Sequence, residues 1–332
     1  MCTAVSFVQG GDLYFGRTLD LDRSFGEQVV VVPRNYSLRF RMSGALDSHY
    51  AMIGMALVRE DYPLYYEAAN EAGLAMAGLN FPGNARYAAP VEGWDNVASF
   101  EFLPWILGQC ATVDQAEGLL ARLNLTDASF REDLPPAPLH WMIADSRRTI
   151  VVEAMEDGIH IHPNPVGVLT NNPPFPFQMH HLRQYLNLTR EEPVNRFAPA
   201  LDLAPDCLGM GAVGLPGDLS SPSRFVRAAF GRANALPGET EEERIAQFFH
   251  VLNTVAQTRG LARAGRDSFE YTVYTCCCNV SRGIYYYTTY ENQQVTAVDL
   301  NQIDLESERL SAWPVRRTQQ IFRERAPGSL GG

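Results

Sequence analysis

At 332 residues, 46% hydrophobic and 20% charged, the chain has the make-up of a globular protein with a sizeable core. Its formal net charge of −11, from 27 basic against 38 acidic residues, excludes the basic footprint that nucleic-acid phosphates demand and supplies no polybasic patch for anionic lipid. All 27 basic residues are arginine, which removes Schiff-base lysines, Ser–Lys dyads and P-loop lysines from consideration.

The N-terminal third reads as successive strands. "TAVSFVQ", the turn "GGD", "LYFGRTLD" and "EQVVVVP" alternate or run apolar between turn residues. "YAMIGMALV" is a further strand, and "LYYEAA" and "LAMAGLNF" flank the turn "NEAG" as a hairpin. Helical periodicity begins near Ser99 with "SFEFLPWILGQC", followed by "TVDQAEGLLARL" with Thr112 as its N-cap. Strands return in "LHWMIADS", "TIVVEAME", "GIHIHP" and "VGVLTN". Two helices are predicted over "SRFVRAAFGRANAL" and "ETEEERIAQFFHVLNTVAQ", before a β-rich end through "SFEYTVYTCCCNV", "GIYYYTTYEN" and "QQVTAVDL". This order predicts antiparallel sheets packed face to face with helices on both outer faces, in one domain over residues 1–325. Disorder is expected over 326–332.

No apolar stretch is long enough to span a bilayer, and residues 3–22 mix Gly, Asp and Arg unlike a signal peptide. The expected location is the cytoplasm, with no membrane association and with the six cysteines as free thiols. "GMGAVG" at 209–214 fits G-x-G-x-x-G literally, but loop-like sequence on both sides makes it a turn rather than a dinucleotide site. "CCC" at 276–278 would point Cys276 and Cys278 one way and Cys277 the other, which suits core packing and not a tetrahedral metal site. "HIH" at 160–162 puts two imidazoles on one strand face without a third ligand. No metal site is expected.

Cys2 stands apart. Methionine is normally trimmed before a small second residue, so the mature chain is expected to begin with cysteine. That residue then combines a thiol with a free α-amine, whose reference pKa is about 8, and so a nucleophile with a general base. "GRTLD" places Arg17 and Asp20 in the paired strand or its turn, where an arginine favours a thiolate and a carboxylate can orient the amine.

With these features "MCTAVSF", "YFGRTLD", "NEAGLAMAGLNFP", "LHWMIAD", "GVLTNNP", "GLPGDLSSPSRF" and "GIYYYTTYEN" lie in one order that resembles the choloylglycine hydrolases, to about Asp304. That family comprises conjugated bile acid hydrolases and penicillin V acylases, within the N-terminal-nucleophile hydrolases. The resemblance implies an α+β, four-layer αββα sandwich, no cofactor, a small-molecule amide substrate, and a homotetramer. It also implies Cys2 as nucleophile with Arg17, Asp20, Asn80, Asn171 and Arg224 as the remaining site residues. The Asn171 amide nitrogen and the Asn80 backbone N–H are the expected oxyanion donors. Arg224, after "SSPS", is expected at a helix start.

Leu21, Phe25 and Leu134 are expected to line an apolar acyl pocket. Asn80 falls where bile salt hydrolases carry asparagine and many penicillin V acylases carry tyrosine, which favours conjugated bile salts. Charges at Asp22, Arg23 and Glu60 near the pocket loops keep penicillin V and N-acyl-homoserine lactones as alternatives. A glutamine amidotransferase domain and a catalytically inactive binding protein are two further readings. The first would need a synthase partner domain, and the complete residue set opposes the second.

Overall fold

The computed structural model describes residues 1–324, so the disorder expected over 326–332 lies outside the described residues. The chain opens with the hairpin β1 (Cys2–Gln9) and β2 (Asp12–Leu21). Gly10 and Gly11 close it at positive φ, where a side chain would be strained. The valine run of β3 (Gln28–Val32) begins a second sheet, followed by the small hairpin β4 (Leu38–Arg39) and β5 (Ala45–Leu46). β6 (Met52–Arg59), β7 (Tyr62–Asn70) and β8 (Ala75–Asn80) form a meander, and the turn between the last two is the one at "NEAG".

β9 (Asp95–Ala98) leads into α1 (Phe102–Gln109) and α2 (Val113–Leu120), the latter capped by the Thr112 side chain. β10 (Leu123–Thr126) then pairs parallel with β9. A second meander, β11 (Leu139–Ala144), β12 (Thr149–Met155) and β13 (Gly158–Pro163), precedes the short β14 (Val168–Leu169). Three helices follow: α3 (Phe175–Leu182), α4 (Ser221–Asn234) and α5 (Glu241–Asn253). β15 (Ala262–Arg263), β16 (Phe269–Asn279), β17 (Ile284–Thr289), β18 (Thr296–Asp299) and β19 (Ser311–Pro314) complete the described chain.

Two large antiparallel sheets result. One runs β14-β1-β2-β16-β17-β18 with β15 on β16, and the other β13-β12-β11-β8-β7-β6-β3-β19. α4 and α5 cover the outer face of the first sheet, and α1 lies on β7 and β8 of the second. Between the sheets lie Leu19, Met55, Ala77, Leu79 and Met142, while Trp105, Ile106, Trp141 and Ile143 fill the space under α1 and α2. The molecule is the α+β, four-layer αββα sandwich with antiparallel sheets that the element order predicts.

Two segments differ from the sequence reading. The second predicted helix runs to Leu123, but α2 stops at Leu120, and Leu123 opens β10, where Leu123 and Leu125 turn inward in strand alternation beside β9. α3 is not among the predicted helices; it forms over Phe175–Leu182 because proline is tolerated in a helix's first turn, where its missing N–H has no intrahelical partner.

Gly16 shows how tightly the first sheet is closed. A Cβ there would lie 2.0 Å from the Cys276 carbonyl oxygen, a backbone atom that cannot step aside. Gly16→Ala should lower the unfolding free energy in urea by about 3 kcal/mol. Gly118→Ala, in exposed α2 with nothing within 4 Å, should raise it by about 0.5–1 kcal/mol.

Candidate active site

Strand register gathers the expected residues at one end of the first sheet. Cys2 lies opposite Leu19 and Ala4 opposite Arg17 on β2, while Asp20 lies opposite Thr272 on β16. On its other side β1 pairs Ala4 with Leu169, and continuing that register brings Asn171 opposite Cys2. Because side chains alternate across a strand, Cys2 and Arg17 face the second sheet, and Thr3 and Asp20 face the helices.

On the inner face, the Arg17 guanidinium has no solvent exposure. Its Nη1 donates to the Gly78 carbonyl at 2.6 Å and more weakly to that of Tyr66 at 3.3 Å. Its Nε lies 3.8 Å from Glu67, and its Nη2 is buried without a protein partner. Glu67 is itself held by Tyr274 at 2.7 Å, Tyr285 at 2.6 Å and the Cys276 thiol at 3.4 Å. Burial raises the Glu67 carboxyl and Arg17 opposes the rise. Burial alone would lower Arg17, but Cys2, Tyr274 and Glu67 together hold it above the ordinary guanidinium range.

On the outer face, Arg224 sits in the first turn of α4, whose N-cap Ser220 accepts from Ser223 N–H. Sequence alone would have left it as a surface charge, yet it is fully buried. Its Nη1 donates to the Cys2 carbonyl at 2.5 Å and Thr3 Oγ1 at 2.7 Å, and its Nη2 to Asn171 Oδ1 at 2.7 Å. The buried Asp20 carboxylate accepts from Thr272 at 2.7 Å and Thr18 at 3.2 Å. Burial raises the Asp20 carboxyl, and Arg224 and the chain's terminal amine oppose that rise. Burial lowers Arg224 against the attraction of Asp20.

Asn171 joins the two faces. Its Oδ1 also accepts from Cys2 N at 2.8 Å, and its Nδ2 donates to the Asn80 carbonyl at 2.8 Å. One of the two amide protons expected to stabilise an oxyanion is therefore already engaged. Asn80 lies opposite Leu139, while the neighbouring Phe81 N–H bonds Pro138. In that antiparallel pattern the Asn80 N–H and carbonyl both point away from β11. Met1 extends β1 by one residue: its amine donates to the Asp20 carbonyl at 2.8 Å and to Glu270 at 2.5 Å.

A cavity of about 310 Å³ opens from Cys2 and Arg17. Leu21, Phe25 and Leu134 line it together with Asn80, and its other walls include Leu57, Leu64, Tyr66, Phe100 and Phe130. Asp20, Asn171 and Arg224 do not line it, because they belong to the opposite face of the sheet or the turn beside Cys2. Asp22, Arg23 and Glu60 do not line it either. The Arg23 guanidinium rests 5.1 Å from the Phe25 ring centroid, and Glu60 pairs with Arg131 at 3.5 Å on the surface.

Glu67 and the far walls escaped sequence reasoning. An acid inside the apolar run "LYYEAAN" was the available signal for Glu67, since such a residue must be exposed or paired. "GMGAVG" contains a short 3₁₀ turn, and Cys276, Cys277 and Cys278 are core residues. Among the described residues no cluster of three or more His, Cys, Asp or Glu is placed to hold a metal ion, and no helix is long and apolar enough to cross a membrane.

Residues 2–312 match the model of the linear amide C–N hydrolases, choloylglycine hydrolase family. The chain is 45% identical over 322 residues to a bile salt hydrolase/transferase of Lactiplantibacillus plantarum, covering 97% of this chain and 99% of that one. The structure is similar to the crystal structure of the mutant C2A conjugated bile acid hydrolase from Clostridium perfringens. The TM-score is 0.91 at 34% identity, over 98% of this chain and 100% of that one. The fold is shared with penicillin V acylase from Agrobacterium tumefaciens, with a TM-score of 0.75 at 22% identity, over 94% of this chain and 90% of that one.

The cysteines make the geometry testable. Cys207 is exposed, Cys2 reaches the cavity, and the other four are buried. Burial pushes the Cys110 thiol up to about 11 and raises those of Cys276, Cys277 and Cys278 as well, which starves them of reactive thiolate. Under native iodoacetamide, peptide mapping should show Cys207 modified first and Cys2 next, with Cys276 to Cys278 protected. Core thiols modified ahead of Cys2 would contradict this picture.

Proposed function

The chain belongs to the choloylglycine hydrolase family and is a linear-amide hydrolase, and on that footing we propose that it cleaves the amide of conjugated bile salts with Cys2 as the attacking thiol. The observation that carries the proposal is that Cys2 and Arg17, whose Nη2 has no protein partner, both line one largely apolar cavity.

Loss of Met1 would turn the Cys2 amide nitrogen, 2.8 Å from Asn171 Oδ1, into an α-amine held in place by that acceptor. The amine takes the thiol proton and the sulfur attacks the amide carbonyl carbon. The charge that develops on oxygen meets the Asn80 N–H and the second N–H of Asn171 Nδ2, donors fixed before the reaction starts. As the C–N bond breaks, the ammonium returns its proton to the leaving amine and a thioester remains on Cys2. Water, deprotonated by the same amine, attacks the thioester, releases the acid and restores the thiol. Arg17 offers its free Nη2 to the sulfur or the developing oxyanion. Arg224 fixes the Cys2 carbonyl and Asn171, with Asp20 offsetting its charge.

The acyl group occupies the apolar walls, where a steroid's hydrocarbon surface replaces water. The charges at Asp22, Arg23 and Glu60 lie outside those walls, which removes the main objection to such an acyl group. We extend the reading to a homotetramer, supported by exposed apolar side chains at Leu186, Phe197, Leu201, Leu203 and Leu208. Light scattering should return a four-chain mass.

Two measurements test the chemistry and the substrate separately. Intact mass of the active protein should lack Met1. Cys2→Ala should abolish turnover with the fold intact, and Cys2→Ser should lower it by orders of magnitude. Full activity with Met1 retained would end the amine mechanism, and unchanged turnover in Cys2→Ala would end the role of the thiol.

In a panel of glycine- and taurine-conjugated bile salts, penicillin V and N-acyl-homoserine lactones, kcat/KM for amine release should be highest for a conjugated bile salt. Asn80→Tyr should move the ratio toward penicillin V by narrowing the cavity and presenting a ring. Faster turnover of penicillin V or a lactone by the wild-type protein would refute the bile-salt assignment while leaving the amide chemistry standing.

A further inference from the structure

Beneath the paired asparagines lies a fully buried polar pair that this mechanism does not use. His140 on β11 and Glu153 on β12 are opposite one another if the β11–β12 register is continued by one residue, and neither has solvent exposure. His140 Nδ1 and Glu153 Oε1 lie within hydrogen-bond distance at 3.0 Å. The Thr170 carbonyl can only accept, so the His140 Nε2–H donates to it, at 2.9 Å. Glu153 Oε1 also accepts the Phe175 N–H at 2.9 Å.

Thr170 and Phe175 bracket the four-residue turn Asn171–Pro174. One end is therefore tied to His140 and the other to Glu153. The His140 ring also stacks on Phe81, the neighbour of Asn80, with centroids 4.3 Å apart and planes 6° from parallel. A single pair thus touches both chain segments whose asparagines meet at 2.8 Å above it.

Stability alone gives little reason for such a pair. Leu79, Met142 and Val151 belong to this part of the core, and an apolar pair packed there would avoid the cost of burying two titratable side chains. We propose that His140 and Glu153 are positioning residues that clamp the Asn171–Pro174 turn and set Asn171 against Asn80 for oxyanion binding. The proposal rests on the role given above to Asn171.

The test is the double variant H140F/E153L, assayed with a conjugated bile salt. Phenylalanine keeps the stack on Phe81, but the Thr170 carbonyl and the Phe175 N–H lose their partners and His162 Nε2 loses the Glu153 carboxylate 3.5 Å away, so the melting temperature should fall by several degrees while the variant still folds. Its kcat should nevertheless fall about ten- to a hundredfold, because small misplacement of a reacting group is that costly. KM should stay within about threefold, since the acyl walls are untouched. H140Q, whose amide can still reach Thr170, should recover part of the kcat.

A fall in kcat at nearly unchanged KM is the loss a transition-state role explains, and a folded double variant with kcat within about twofold of wild type would overturn the clamp. If the double variant does not fold, wild-type kcat in both H140F and E153L overturns it equally. Asn171→Ala is measured alongside: if it keeps wild-type kcat, the reading of Asn171 fails rather than the clamp alone.

Discussion

Two guanidinium groups without solvent contact, one on each face of the same sheet, set the conditions for everything around Cys2. Removing such a charge from water is expensive unless opposite charge and hydrogen bonds meet it in place. Arg17 finds Glu67 and two carbonyls from the second sheet; Arg224 finds Asp20, the Cys2 carbonyl, Thr3 and Asn171. These partners come from segments far apart in the chain, so satisfying the two charges forces both sheets, the turn after β14 and the start of α4 into register. A chain terminus ordinarily frays. Here the first residues cannot, because the Cys2 carbonyl is one of the bonds that makes Arg224 tolerable.

The same constraint explains how the pocket stays apolar beside so much charge. Arg17 donates to the Gly78 and Tyr66 carbonyls of the second sheet and to the Thr18 carbonyl of its own strand, and one buried nitrogen, Nη2, has no protein partner. Arg224 and Asp20 remain behind the plane of the strand. A hydrophobic acyl group therefore approaches the sulfur without crossing a field of unpaired charges.

Much of this was legible in the sequence. Alternation and turn residues give the long strands of both sheets and four of the five helices, and the order of elements gives the layers, whereas the short strands β4, β5, β9, β10, β15 and β19 carry too few residues to show a pattern. Cys2, Arg17 and Asp20 announce themselves because two adjoining strands carry them within the first hairpin. Asn171 and Arg224 came through family resemblance, since nothing local distinguishes an asparagine after "VLT" or an arginine after "SSPS". The far cavity walls at Leu57, Phe100 and Phe130 were invisible because they meet only through tertiary packing. Glu67 and the His140–Glu153 pair were hidden for a related reason: pairing across strands decides whether a buried polar residue is an error or a support, and spacing along the chain does not report it. The α3 helix failed on local grounds, where proline's tolerance in a first turn outweighed its reputation as a breaker.

The far walls of the cavity and most of the residues proposed for the chemistry are drawn from different parts of the chain, and they meet at Asn80 of the second sheet and at Leu19 and Leu21 of β2. Cys2, Arg17, Asp20, Asn171 and Arg224 belong to the first sheet, its neighbouring turn and α4, whereas Leu57 and Leu64 come from the second sheet's strand ends, Phe100 from the approach to α1, and Phe130 and Leu134 from the loop between β10 and β11. Selection can therefore reshape the wall residues, one loop at a time, without loosening the charges that hold the nucleophile. Such a division favours a lineage in which acyl preference drifts quickly while the bond-breaking step is inherited unchanged.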